Sequence, residues 1–150
     1  MIKIFKVVLL LLCLTGVCTQ SNAGNRVAAD KVEAKAPDFD WNPVMEAIIQ
    51  VESEGDVKAV SGNSCGAMQI TPILVAECNN ILKKRKSKKR FSLRDRFSLA
   101  KSKEMFILFQ SYFNPKNDIE LAIRSWNGGM NFSKRRTQRY FEKVMKCLNM

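Results

Sequence analysis

Residues 41–53 read Trp41-Asn42-Pro43-Val44-Met45-Glu46-Ala47-Ile48-Ile49-Gln50-Val51-Glu52-Ser53, and this stretch decides the fold class. From Trp41, through Val44 or Met45, to Ile48 and Glu52 the steps are three and four, the repeat of a helix that buries one face. Asn42 ahead of Pro43 reads as a cap followed by proline at the first helical position. Gly55 supplies a stop. The anomaly is Glu52, which ends an apolar stripe and so brings its carboxyl against the core. Loss of water and the partial negative charge of a helix C-terminus both disfavour the ionised form. A carboxyl kept protonated near neutral pH is what a general acid requires. The alternative is a glutamate that turns to solvent at a frayed helix end.

Working outward, the pattern stays helical. A loop over 56–70 holds small residues and Gly66-Ala67-Met68-Gln69-Ile70, with room for a small β-ribbon. Thr71-Pro72 restarts a helix whose apolar face is Leu74, Val75, Cys78, Ile81 and Leu82. Another helix carries Phe97, Met105, Leu108, Phe109 and Tyr112 until Asn114-Pro115 breaks it. Asp118 caps the next, with Ile119, Ala122, Ile123 and Trp126 as its stripe and Asn127-Gly128-Gly129 as its end. The last helix places Thr137, Tyr140, Phe141, Val144, Met145 and Leu148 on one side. Five helices and no firm strand make the chain mainly α.

The length of 150 residues suits one domain, and 46% hydrophobic with 26% charged residues is a globular balance that argues against wholesale disorder. There is no histidine, which removes Ser-His-Asp and Cys-His nucleophilic sites and His-ligated metals. A net charge of +11 directs the chain toward anionic partners. The densest basic run is Lys83-Lys84-Arg85-Lys86-Ser87-Lys88-Lys89-Arg90. It reads either as a solvated loop of mutually repelling charges or as an attractor of anionic envelope polymer. No aromatic residue interleaves it for base stacking, so nucleic acid is not the expected partner.

Residues 1–23 read as a signal peptide: Lys3 and Lys6, an apolar core over 7–17, and Ser21-Asn22-Ala23 as the cleavage site. The apolar run is short for a membrane span, and no stable span is expected after cleavage. Lipid attachment at Cys18 and a retained N-terminal anchor are the alternatives. Residues 24–40 read as a flexible tether, which leaves 41–150 as the domain. The expected location is the periplasm or the extracellular space. Cys65, Cys78 and Cys147 stay with the mature chain, and their spacing fixes no disulfide pairing.

Four blocks then carry a resemblance: first Ala47 to Ser53 with Glu52-Ser53 at its end and Ala59-Val60-Ser61 after it, second Gly66-Ala67-Met68-Gln69-Ile70-Thr71-Pro72, third Ala122 to Gly129, and fourth Thr137-x-x-Tyr140 leading into an apolar helix. In this order, over about residues 41–148, the chain resembles the SLT-type lytic transglycosylase family. It departs from that pattern at Ala67, where Leu is usual, in a shorter loop between Ser61 and Gly66, and at Trp126, where Tyr is usual.

The resemblance implies a lysozyme-like helical fold and cleavage of the β-1,4 bond between MurNAc and GlcNAc in peptidoglycan. It implies that Glu52 protonates the glycosidic oxygen, then takes a proton from the MurNAc 6-hydroxyl as a 1,6-anhydro ring closes. One carboxyl then suffices where hydrolytic glycosidases pair two. Ser53 would contact substrate and shape the surroundings of the acid, and Met68 and Gln69 would line the glycan groove, with Gln69 bonding an acetamido group or bracing Glu52. Asn127 would be a groove residue, with a helix-capping role as its alternative. Tyr140 would bring a phenol near Glu52 or fill the core, and Trp126 would stack on sugar or pack partly into the core. No cofactor is implied. Peptidoglycan glycan strands are the implied partner, and an envelope-spanning apparatus is a further one that enzymes of this type serve. Two rival readings are a hydrolytic muramidase, with Glu54 or Asp56 holding a water, and a catalytically silent glycan-binding or assembly protein.

Overall fold

The computed structural model describes residues 39–150. The expected signal peptide, Cys18 and all of the expected tether except its last two residues lie outside the described residues. Those last two residues belong to the packed chain. Phe39 stacks edge-on against Trp41 at 4.6 Å between ring centroids, and Asp40 Oδ1 accepts the Asn42 N–H at 2.9 Å.

The first helix, α1, spans Asn42–Ser53. Asn42 is itself the first helical residue and not the cap, and both its backbone N–H and its side-chain amide donate to Asp40. Pro43 fits there because a proline in the first turn gives up no internal hydrogen bond. At the other end Glu54, not Gly55, takes the left-handed cap position with φ 54°. Gly55 then continues the turn at φ 90°.

A two-stranded antiparallel ribbon follows, β1 (Val60–Ser61) with β2 (Ser64–Cys65), in the register Val60 opposite Cys65 and Ser61 opposite Ser64. Helix α2 (Pro72–Lys84) starts where the Thr71 hydroxyl accepts the Leu74 N–H. Its stripe is buried through Val75, Cys78, Ile81 and Leu82, with Leu74 half-buried. The basic run closes α2 with Lys83 and Lys84, whose charges suit a helix C-terminus. The rest of the run is held at several points. Arg85 bonds Ser111, Lys89 pairs with Glu104, and the Asn79 amide both donates to and accepts from the backbone of Phe91 at 2.8 Å.

Phe97 does not belong to the next helix. It ends a 3-10 turn, Leu93–Phe97, whose first residues are set by the Ser92 N–H donating to Asp95 Oδ2. Ser98 then caps α3 (Leu99–Phe113) by accepting from Lys101. Within α3, Met105, Phe106 and Phe109 are buried while Tyr112 is exposed. Asp118 caps α4 (Ile119–Gly128), and Gly129 at φ 71° ends it. Helix α5 (Lys134–Leu148) completes the chain.

The fold is therefore mainly α with one small β-ribbon. Helix α1 packs on α5 and α4, α4 packs on α5, and α2 packs on α3. Ile48, Met68, Met105, Phe106, Ala122, Ile123 and Val144 form the centre of the core. Phe106 joins its walls, touching Trp41 edge-on and Trp126 at a 5.1 Å centroid distance. Arg124, 3% exposed, ties α4 to α5 by bonding Glu120, the Lys134 carbonyl, Thr137 and Gln138. Its guanidinium also lies over the Phe141 ring at 4.3 Å. Cys65 and Cys78 are buried and Cys147 half-buried, all three as free thiols. Burial, and then the Glu77 charge, push the Cys78 thiol up to about 12. No helix among the described residues is long and apolar enough to cross a membrane.

Candidate active site

Helix α1 delivers Glu52 at its last turn, and the loop after it is bolted in place. The Ser53 hydroxyl donates to the Ala67 carbonyl at 2.8 Å. The Gly66 N–H donates to the Ala59 carbonyl. Arg96, from the 3-10 turn, donates to the carbonyls of Asn63 and Ile70. Gly66 is required at its position: φ is +77° and a Cβ would stand 1.8 Å from the Arg96 carbonyl oxygen. Gln69 holds φ 48°, a conformation that L side chains adopt rarely. Its side chain stabilises it there by donating to the Gly66 carbonyl at 2.9 Å.

A cleft of about 670 Å³ opens beside this loop. Glu52 and Gln69 line it from the α1 side, Trp126 and Asn127 from α4, and Leu74 and Glu77 from α2. Phe109 and Phe113 form an apolar wall from α3. Glu52 is half-buried, and one of its oxygens accepts the Tyr140 hydroxyl at 2.7 Å. Burial raises the Glu52 pKa above its ordinary value, and the Tyr140 hydrogen bond opposes that rise. Tyr140 is held firmly as a phenol, first by burial and then by the Glu52 charge. The pair can therefore present a proton in one state and support a carboxylate in the other, which is what a group serving as acid and then base needs.

Glu52, Gln69, Trp126 and Asn127 thus share one cavity, with Tyr140 behind the carboxyl. Asn127 is exposed inside α4, so its capping alternative is not realised; Gly129 takes that place. Trp126 is half-buried, its ring tilted at 55° against Phe106, and its indole N–H donates to the Met68 carbonyl at 3.3 Å. Gln69 does not brace Glu52: its amide is engaged by loop carbonyls. Two expectations need correction. Met68 is 0% exposed and lies in the core, because the turn at Gln69 directs its side chain inward; it does not line the cleft. Ser53 does not line the cleft either, and acts on it only through the Ala67 carbonyl.

Glu54 and Asp56 are exposed and stand outside the cleft. The second carboxylate in the lining is Glu77, one position off the buried stripe of α2. Phe109 is legible in the sequence only as part of an apolar helix face, and Phe113, four residues on, is not singled out there. A larger hollow, about 840 Å³, lies between α1 and α5, but its carboxylate, Glu46, is already paired with Lys103. Among the described residues, no group of three or more His, Cys, Asp or Glu side chains could hold a metal ion. Compared with protein families, with curated proteins and with solved structures, the chain matches none of them.

Proposed function

We propose that this chain is a peptidoglycan lytic transglycosylase of the SLT type with a lysozyme-like fold, exported to act on the wall. The observation that carries the reading is Glu52: a half-buried carboxyl with a raised pKa, hydrogen-bonded to Tyr140, in a cleft walled by aromatic rings and amides. The four sequence blocks in family order support it. So does the way the fold gathers Glu52, Gln69, Trp126 and Asn127 from segments far apart in the chain.

In this reading the protonated Glu52 gives its proton to the glycosidic oxygen. The C1–O bond breaks, its electron pair leaves with the GlcNAc oxygen, and C1 of MurNAc gains oxocarbenium character. Glu52, now a carboxylate, accepts the proton of the MurNAc 6-hydroxyl as that oxygen bonds C1. The ring closes, Glu52 is again protonated, and no water enters. Burial favours the acid at the start, and the Tyr140 hydroxyl supports the carboxylate in between. The Trp126 ring offers a platform for a sugar face, and the Asn127 amide offers a donor and an acceptor to an acetamido group.

The test is clearing of purified cell walls by the intact chain. Wild type clears them, and Glu52→Gln, which keeps the shape but cannot cycle a proton, loses about 10²–10⁴-fold in rate. Wall binding without clearing, unchanged by Glu52→Gln, would leave a silent glycan-binding protein. The hydrolytic reading draws on Glu77, a second carboxylate in the same cleft.

A further inference from the structure

Nearly every carboxylate among the described residues already has a partner. Glu46 pairs with Lys103, Glu104 with Lys89 and Lys101, and Glu120 with Arg124 and Lys134. Asp40, Asp56, Asp95 and Asp118 accept backbone N–H groups at caps and turns. Glu142 accepts from Gln138, and Glu52 from Tyr140. That leaves Glu54, which is exposed, and Glu77, which is half-buried and faces the cleft without a hydrogen bond or ion pair to any described residue.

A shortage of cations does not explain this, since Lys and Arg number 25 against 14 Asp and Glu. The helix does explain it. Three and four residues from Glu77 stand Ile73, Leu74, Asn80 and Ile81, none of them a cation. Lys84, further along, donates to the Tyr112 hydroxyl instead. Among the described residues, Glu52 and Glu77 are the only acidic or basic side chains in the cleft lining, which holds no Lys or Arg, so the cleft is an acidic slot in a basic protein. A carboxylate partly stripped of water and unpaired binds a cation more strongly than one on open surface.

From this placement we infer that Glu77 is the specificity-determining residue of the cleft and holds an ammonium group of the substrate against its carboxylate. The inference rests on the glycan-cleaving reading and deepens it. An ammonium can come from two sources on a wall strand: a de-N-acetylated amino sugar, or the free amine of a diamino acid in the peptide stem. Where that diamino acid is also dicarboxylic, a carboxylate sits on the same carbon as the free amine. Glu77 also borders a recess formed with Asn80, Lys83 and Lys84, and the exposed Lys83 would receive that carboxylate.

Calorimetric titration of the full chain tests this with two matched pairs of ligands. One pair is an N-acetylglucosamine oligosaccharide and the same oligosaccharide carrying one free amine. The other is a muropeptide with a free stem amine and its N-acetylated form. Wild type should bind the amine-bearing member of at least one pair about tenfold more tightly. Glu77→Gln should abolish that preference, keep the same thermal midpoint within a few degrees, and still bind the amine-free sugars. A preference that fades with added salt fits an ion pair. Loss of the preference in Lys83→Gln for the muropeptide pair alone assigns the stem amine, and its retention for the sugar pair assigns the sugar amine. Equal binding within both pairs overturns the inference while leaving the glycan reading intact, as does a preference that survives in Glu77→Gln. Absence of binding by all four ligands overturns both. Reducing-end products from wild type, lost in Glu77→Gln on amine-free strands, would assign Glu77 to an attacking water instead.

Discussion

Removing the Tyr140 hydroxyl separates the two forces that set the proton affinity of Glu52. Tyr140→Phe keeps the ring in its place beside α1 and deletes only the 2.7 Å hydrogen bond to the carboxyl. A hydrogen bond to a charged acceptor contributes about 1.5–3 kcal/mol and one between neutral groups about 0.5–1.5 kcal/mol. The ionised Glu52 therefore loses more than the protonated one, by about 1 kcal/mol. The pKa, already raised by burial, moves further up. A higher pKa makes Glu52 a weaker proton donor and a stronger acceptor, so the acid half of the cycle is weakened and the base half is not, and turnover of glycan strands should fall by about fivefold. Stability at neutral pH should fall by about 1–2 kcal/mol. Carboxyl NMR titration of wild type and variant reads the shift directly, and the limb of the pH–rate profile that reports Glu52 should move to higher pH with it. A titration that stays where it was, or moves down, would refute the assignment of Tyr140 as the group that supports the carboxylate.

Three further outcomes are expected. Because the folded chain holds the Glu52 proton above the ordinary carboxyl value of 4.5, wild type should lose stability relative to Glu52→Gln as pH rises from that value through the folded one, with no such trend below it; urea unfolding at several pH values measures this, and a flat or opposite trend would contradict it. Gly66→Ala forces a Cβ against the Arg96 carbonyl at a left-handed backbone position, so it should destabilise by more than about 2 kcal/mol and lower turnover by displacing the Gln69 loop, as read by thermal unfolding and wall clearing. Arg124→Ala removes a buried guanidinium with four hydrogen-bond partners and should cost about 3 kcal/mol in denaturant unfolding, with Arg124→Lys recovering less than half.

The helices were legible because a helix that buries one face repeats its apolar residues every three to four positions. Val75, Cys78, Ile81 and Leu82 show this, and so do Ile119, Ala122, Ile123 and Trp126. Thr71 and Asp118 were legible as caps because each is followed by a strong helical stripe. The start of α1 was misplaced by a short distance, since Pro43 is compatible with more than one position in a first turn and Asn42 is drawn into the helix as a donor to Asp40. Phe97 fell outside α3 because Ser98 caps the helix after it.

The site was legible only in part. The carboxyl at the end of the α1 stripe could be read from periodicity, because burial is what periodicity encodes. Its bond to Tyr140 spans 88 positions, and no local spacing specifies a contact at that range. Met68 sits in a loop without periodicity, so nothing in the residues around it distinguished an inward side chain from a cleft-lining one. Glu77 stands one position off its helix's buried stripe, where a carboxylate ordinarily faces solvent; only the placement of α3 across from it makes that position a wall of the cleft.

Mass spectrometry of the fragments released from purified peptidoglycan tests the central claim most directly. Wild type should release strands ending in 1,6-anhydroMurNAc, and Glu52→Gln should release none. Strands ending in reducing MurNAc, one water heavier, or anhydro ends that persist in Glu52→Gln, would contradict a single carboxyl acting first as acid and then as base.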